Sequence, residues 1–442
     1  MTEETSEKKH ITGIGRWLSS QHPAVLVLYV VIASFSAYAS MYAFRKPFTA
    51  TDYSGLNAFS LLGVTFSYKP IAVISQLLGY MCSKFIGIKV ASEATMGKRV
   101  PLVLGLILFA ELMLLLFALC PKPYNLIFLF LNGLPLGMVW SLIFGILEGR
   151  RVTEFLGLAM SVSIIFSTGI VMSVGSWTMD ADGLGVGEFW MPVTTGALFI
   201  PVLLVSLFML YNVPPPSLED EQNRTKRRPM DREKRKSFIK KYSVGVILLV
   251  LGYLCLMTYR DLRGSFMIEI LKELGHEVKK SDFVGIETKV GIVIIVALGF
   301  FAWVRNHRLA VFVNLAMISV GATLLGVATI LLKNGSLSPK EFYLMNGIGL
   351  YLAFVPYQVL LMERLLASLH VVATASFLIA LADSYGYLST ITLYITRDIL
   401  SKIWGVNIPW VDMLSVASYV VMIVVPLCAL GLAFYFGKRL KS

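Results

Sequence analysis

AVLVLYVVIASFSAYASMYAFRKPF, residues 24–48, begins with 21 uncharged residues and closes on Arg45, Lys46, Pro47 and Phe48. A hydrocarbon core about 30 Å thick takes about 20 apolar residues per helix, so this run has the length of one membrane crossing. Eleven more runs follow, near 56–80, 101–119, 125–147, 155–177, 189–211, 242–259, 284–304, 309–332, 342–361, 369–394 and 409–436. Of the 442 residues, 56% are hydrophobic and only 15% charged, more apolar surface than a soluble core of this size needs. The sequence therefore predicts an all-α membrane protein with twelve transmembrane helices. The first run is too long for the apolar part of a signal peptide, and Pro23 suits the first turn of a helix.

The segment 213–241 divides the chain. It starts Val213-Pro214-Pro215-Pro216, passes an acidic patch at Glu219-Asp220-Glu221, and carries ten basic residues between Arg224 and Lys241. This predicts a cytoplasmic segment 1–23, a six-helix bundle 24–212, a basic linker 213–241 lying near anionic headgroups, and a second bundle 242–442.

The halves repeat. Met41-Tyr42-Ala43-Phe44-Arg45-Lys46-Pro47-Phe48 ends the first run, and Met257-Thr258-Tyr259-Arg260-Asp261-Leu262-Arg263-Gly264-Ser265-Phe266 ends the seventh. Span four pairs Asn132 with Glu148, 16 residues on, and span ten pairs Asn346 with Glu363, 17 residues on. Both matches relate helix n to helix n+6, a parallel repeat of two halves about an axis along the membrane normal.

Lysine and arginine set the orientation. Lys8, Lys9, Arg16, Lys84, Lys89, Lys98, Arg99, Arg150, Arg151, Arg305, Arg308 and the basic C-terminus share one face if there are twelve spans. That face, with both termini, is expected to be cytoplasmic in the inner (plasma) membrane. The net charge of +12 is then mainly a topology signal, and no nucleic-acid partner is expected. The four cysteines show no metal-like spacing and read as packing residues.

This layout resembles the major facilitator superfamily, with its two six-helix bundles and central loop. Within it, Tyr42 through Phe48 is similar to the first-helix signature of the organophosphate:phosphate antiporters. Leu147-Glu148-Gly149-Arg150-Arg151 and Tyr259-Arg260-Asp261 are also like stretches of uncharacterised bacterial membrane proteins. The antiporter resemblance implies that arginines of helices one and seven bind a phosphate group centrally. Arg45 matches the first; Arg260 or Arg263 would match the second. The superfamily's Gly-x-x-x-Asp-Arg loop pattern is altered here, where Gly79 to Gly87 lacks the aspartate, and Glu148 is a candidate replacement for that cytoplasmic latch.

The residues favour an anion independently. An arginine at mid-bilayer costs roughly 2.5–3.5 kcal/mol even on lenient scales, so it is expected to face a cavity and act there. Its planar fork fits phosphate or carboxylate two bonds at a time. Tyr38, Tyr42 and Arg45 are spaced i, i+4, i+7, one helical face. The bland alternative has Arg45 and Lys46 snorkelling to lipid phosphates. Lys69 and Asp383 both read as mid-span. Either they pair across helices two and eleven, or Lys69 joins the substrate site while Asp383 couples a proton. Lys46 and Asp261, at matching ends of spans one and seven, are the expected outer gate. Tyr357, Gln358 and Asn346 would line the cavity from span ten, with Trp140 a weaker candidate; Glu111 on span three is expected to be structural.

No nucleotide loop, metal constellation or nucleophile–base pair appears in the sequence, so no enzyme activity, catalytic residue, metal or cofactor is expected. The reading is a monomeric secondary transporter of a small anionic organic solute, with phosphate esters the leading class, working by alternating access. The rival readings are a transporter-like sensor that binds such a ligand without moving it, and a lipid-handling protein.

Overall fold

The computed structural model describes residues 12–93, 96–148, 150, 152–216, 232–301, 304, 306–369 and 375–439. The first eleven residues and linker residues 217–231 lie outside the described residues. An amphipathic helix α1 (Gly13–Ser20) precedes the first crossing, α2 (Pro23–Tyr42), and Pro23 does open that helix. The first half continues with α3 (Tyr68–Glu93), α4 (Met96–Leu119), α5 (Leu126–Leu147), α6 (Thr153–Met179) and α7 (Met191–Tyr211). A short basic helix α8 (Arg232–Lys241) leads into the second half, which comprises α9 (Ser243–Ser265), α10 (Met267–Glu273), α11 (Lys280–Phe301), α12 (His307–Lys333), α13 (Pro339–Val355), α14 (Met362–Leu369), α15 (Ala375–Trp404) and α16 (Trp410–Arg439).

Nine of these, among the described residues, are long and apolar enough to cross a membrane on their own. The other three crossings carry the features that a hydropathy window penalises. Helices α3 and α15 hold buried charges. The tenth crossing is split into α13 and α14 by a π-helical turn at Pro356–Leu361, where proline removes a ladder donor and crowds the preceding turn. Twelve crossings result, six before and six after the linker. The halves meet where α6 packs on α11 and where α3 packs on α15.

Within the first half, α3 and α5 approach closely enough that glycine is required. A Cβ on Gly79 would collide with the carbonyl oxygen of Phe130, and one on Gly133 with that of Gln76.

Three expectations are corrected here. The second crossing starts at Tyr68, not near 56: residues Asn57–Leu61 and Val64–Ser67 form an antiparallel hairpin, β1–β2, turned by Leu62 and Gly63 at φ +49° and +73°. Two consecutive positive φ values give the turn whose twist matches a hairpin. Lys69 is therefore in the first turn of α3, near the hairpin face, and not at mid-span. Lys84, expected in a loop, lies well inside α3. Third, α2 stops at Tyr42, and the chain turns through Arg45 into a 3₁₀ segment, Pro47–Ala50. Pro47 has no N–H with which to extend the helix.

On the hairpin face the halves are tied by polar contacts. Lys69 pairs with Glu269 at 2.6 Å, Lys272 with Asp52 at 2.7 Å, and Lys280 with Asp180 at 2.9 Å. Lys46 donates to the Ser265 hydroxyl at 3.2 Å, and Lys402 to the Leu62 carbonyl at 2.8 Å. The hairpin turn thus hooks onto the end of α15, 340 residues away in sequence.

Lys402→Ala removes that hook at an exposed position. A cysteine introduced as Ile164→Cys in the central cavity should then react with maleimide about two- to tenfold faster than in the Ile164→Cys protein alone, the factor that about 0.5–1.5 kcal/mol for one hydrogen bond allows. An unchanged rate would show that the hairpin does not restrain the halves.

Candidate functional site

A narrow cavity of about 20 Å³, room for little more than one water, lies where the two halves meet. Tyr38 and Tyr42 of α2 and Arg45 of the turn after it line one side, so the i, i+4, i+7 face read from sequence points into it. The opposite half supplies Arg260 from α9, Gln358 from the π turn, and Asp383 and Tyr387 from α15; α3 adds Tyr80 and Lys84, and α5 adds Trp140.

Two i, i+4 pairs on facing helices make the wall between the halves. The Tyr80 and Tyr387 rings meet edge-on at 5.4 Å, and one turn along, Lys84 and Asp383 pair at 2.9 Å. The Lys84 and Asp383 side chains are 14% and 3% exposed, so this pair sits largely out of water. Tyr253 of α9 also donates to Asp383 at 2.6 Å. The expected Lys69–Asp383 pair is not formed. The hairpin moves Lys69 to the rim, where Glu269 and the Thr49 carbonyl (3.1 Å) hold it, and Lys84 takes its place beside Asp383.

The arginines sort themselves by partner. Arg263 is 1% exposed, donates to Glu287 at 2.7 Å and to the Tyr343 carbonyl at 3.0 Å, and faces the interior of its own half. Arg260 does line the cavity; it forks onto its neighbour Asp261 at 2.9 and 3.3 Å and stacks over Phe354 at 4.6 Å. Arg45 differs from both. Among the described residues no carboxylate lies within salt-bridge distance of it; its guanidinium sits 4.1 Å over the Tyr80 ring, and its buried Nε has no hydrogen-bond partner. Trp140 Nε1 and Gln358 Oε1 are likewise buried without partners.

Three cations (Arg45, Lys84, Arg260) face two carboxylates (Asp383, and Asp261 behind Arg260), which leaves the site one positive charge. A guanidinium without a carboxylate partner is costly in an apolar bundle, and here it borders an enclosed space lined by polar side chains.

The remaining candidates lie elsewhere. Tyr357 turns away and donates to the Leu249 carbonyl at 2.8 Å. Lys46 reaches Ser265 and not Asp261, whose Oδ1 takes both Arg260 bonds and whose buried Oδ2 has no hydrogen-bond partner. Asn346 is fully buried against Tyr259 and does not line the cavity. Glu148 ends α5 on the face opposite the hairpin, its N–H bonded to the Phe144 carbonyl at 2.9 Å. Of the residues that sequence reasoning passed over, Tyr80 and Lys84 show an i, i+4 signal, but the misplaced span put them at its end.

The profile of a family of unknown function (DUF5690) matches residues 47–439. Among curated proteins, none matches this chain. Solved structures are similar over almost the whole length. A D-xylose–proton symporter has a TM-score of 0.60 at 12% identity, covering 93% of this chain and 97% of its own. A bacterial homologue of the human lysosomal transporter Spinster, inward-facing and unoccupied, gives 0.56 at 12%, covering 95% and 97%. A peptide transporter, POT, in complex with sulfate gives 0.58 at 14%, covering 95% and 96%. The fold is therefore the major facilitator fold, two pseudo-symmetric bundles of six transmembrane helices each.

If Lys84 and Asp383 are the pair that joins the halves beside the cavity, a double-mutant cycle of Lys84→Met and Asp383→Asn should show a coupling of about 0.5–3 kcal/mol in unfolding free energy in detergent micelles. The cycle of Lys69→Met with Asp383→Asn should be additive within about 0.5 kcal/mol. The reverse ranking would restore the pairing that sequence suggested.

Proposed function

The chain belongs to the DUF5690 family, and we propose that it is a secondary transporter that moves a small organic anion by alternating access, with phosphate esters the leading class. One observation carries this reading: Arg45 keeps its charge without a carboxylate partner, beside a cavity at the junction of the halves. A packing arginine in a bundle is expected to look like Arg263, matched by its own glutamate. Arg45 instead leaves its donors for a ligand, and Arg260 across the cavity supplies a second fork at the matching place in the other half.

The fold supports transport over sensing or lipid handling. Among the described residues the halves touch mainly along two helix pairs, the cavity lies between them, and the ties on the hairpin face are separate polar contacts that can break without unfolding either bundle. The cavity is lined mostly by polar and aromatic side chains, a wall that suits a polar solute better than an acyl chain. The charge pattern supports a cytoplasmic location for the face opposite the hairpin, which carries Arg16, Lys98, Arg99, Arg150 and Arg308. A monomer supplies the complete cavity.

A thermal-shift panel of phosphate esters, carboxylates and neutral sugars tests the ligand class, and uptake of the best ligand into proteoliposomes tests movement against mere binding. Anions should raise the melting temperature and sugars should not. Arg45→Lys keeps the charge but loses the fork, and should weaken anion binding at least about tenfold. Arg263→Lys should lower the ligand-free melting temperature while leaving affinity within about twofold. Stabilisation by neutral sugars alone, or equal affinity in wild type and Arg45→Lys, would overturn the anion reading. Binding without uptake would turn it into a sensor.

A further inference from the structure

The asparagines that repeat between spans four and ten have no place in the cavity, yet both are fully buried and both reach the residue just before a cavity arginine. Asn132 of α5 donates to the Phe44 carbonyl at 3.0 Å, and Asn346 of α13 donates to the Tyr259 hydroxyl. The separations are 88 and 87 residues, so the contacts are equivalent in the two halves to within one position. Phe44 precedes Arg45; Tyr259 precedes Arg260.

In the first half the contact has a clear physical reason. Helix α2 ends at Tyr42, and among the described residues no backbone N–H reaches the Phe44 or Arg45 carbonyl. Both residues are buried, so each of these oxygens needs a donor. Two side-chain amides supply them. Asn132 Nδ2 serves the Phe44 oxygen and also that of Ala110, at 3.0 Å each, while Gln76 Nε2 serves the Arg45 oxygen at 3.0 Å and Asn132 Oδ1 at 2.8 Å. Every amide hydrogen of the pair is used. The network fixes the backbone of the turn from α3 and α5 and thereby the direction in which the Arg45 side chain leaves it. In the second half α9 runs unbroken to Ser265, no carbonyl is freed, and the asparagine holds the neighbouring phenol instead.

We propose that Asn132 and Gln76 are the positioning residues for Arg45, and Asn346 for Arg260, holding the two guanidinium forks at the separation and tilt that the anion requires. This rests on the anion reading above. Arg45, with no carboxylate partner among the described residues, is oriented by only the Tyr80 and Tyr42 rings, 4.1 and 5.8 Å from its guanidinium, so an error in the backbone beneath it is carried straight to the fork.

The test uses the purified full chain in detergent, with inorganic phosphate and phenyl phosphate as probes, and reads two quantities: the ligand-free melting temperature, and the affinity from the ligand-induced shift. The neutral, near-isosteric variants are Asn132→Leu and Gln76→Met. The control is Asn125→Leu, another fully buried asparagine of the same bundle, which bonds Tyr68 and the Phe117 carbonyl far from the cavity arginines. All three should melt lower. Asn132→Leu and Gln76→Met should also bind the probes at least about tenfold more weakly, whereas Asn125→Leu should bind within about twofold of wild type. Wild-type affinity in folded Asn132→Leu and Gln76→Met, or an equal loss in Asn125→Leu, would overturn the positioning role. Where Asn132→Leu does not accumulate as folded protein, Asn346→Leu measured in the same way decides the matter. A wild-type protein unmoved by any anion would instead overturn the anion reading itself, and the positioning role with it.

Discussion

An unneutralised guanidinium inside an apolar bundle is the constraint around which the rest of this fold is arranged. Hydrocarbon tolerates a buried charge only when something nearby offsets the lost hydration. The other buried cations near the bundle axis meet that requirement with a carboxylate: Arg263 with Glu287, Arg260 with Asp261, Lys84 with Asp383. Arg45 meets it with the face of Tyr80 and the polar wall of a cavity. A cation over a phenol ring gains about 2 kcal/mol or more when desolvated, well short of a matched carboxylate, and the shortfall is what a bound anion can supply. The break after α2, the amides that satisfy it and the close approach of α3 to α5 that places Gln76 all serve to hold this one side chain where its charge is not cancelled.

The same wall lines the cavity and forms the joint between the halves. Helices α3 and α15 touch through Tyr80 with Tyr387 and through Lys84 with Asp383, and these four residues also line the cavity. Ties on the hairpin face are of another kind. Lys272 and Lys280 are 55% and 45% exposed in their pairs, so each contact is worth at most about 1 kcal/mol. A set of weak, separate contacts can be broken one after another, which is what the proposed alternating access requires of this boundary. The Lys69–Glu269 pair, at 3% and 14% exposure, is the better shielded member of that set.

The class, the two halves and part of the cavity lining were legible in the sequence because those rest on apolar run length, the distribution of lysine and arginine, and the i, i+4, i+7 face of the first span. The sequence misplaced what depends on one turn. Residues 56–67 alternate apolar and small polar residues at a density that a hydropathy window cannot separate from a helix, and only Gly63 hinted at a hairpin. That single error moved Lys69 into the membrane and Lys84 out of it, exchanging the two lysines' roles. The choice between Arg260 and Arg263 was undecidable for a different reason. Three residues apart on a helix, they sit on neighbouring faces, and only the fold shows that Arg263 turns to Glu287 on α11 while Arg260 lines the cavity.

The repeated asparagines show how far a repeat in sequence can be carried. Two halves that share a fold need not share local structure: α2 breaks before its arginine and α9 does not. If the asparagines were kept only to pack helices four and ten, the break would not matter, and each would be free to bond any nearby group. Both instead reach the residue ahead of an arginine, through a carbonyl in one half and a phenol in the other. What the halves hold in common is therefore the place of the arginine relative to its supporting helix, with the chemistry of the contact adapted to whichever backbone lies beneath it. The two arginines differ in freedom for the same reason. Arg260 springs from an unbroken helix and keeps Asp261 at its side, while Arg45 springs from a turn pinned by amides and keeps nothing, so on the proposed reading the first half binds the anion and the second completes its enclosure.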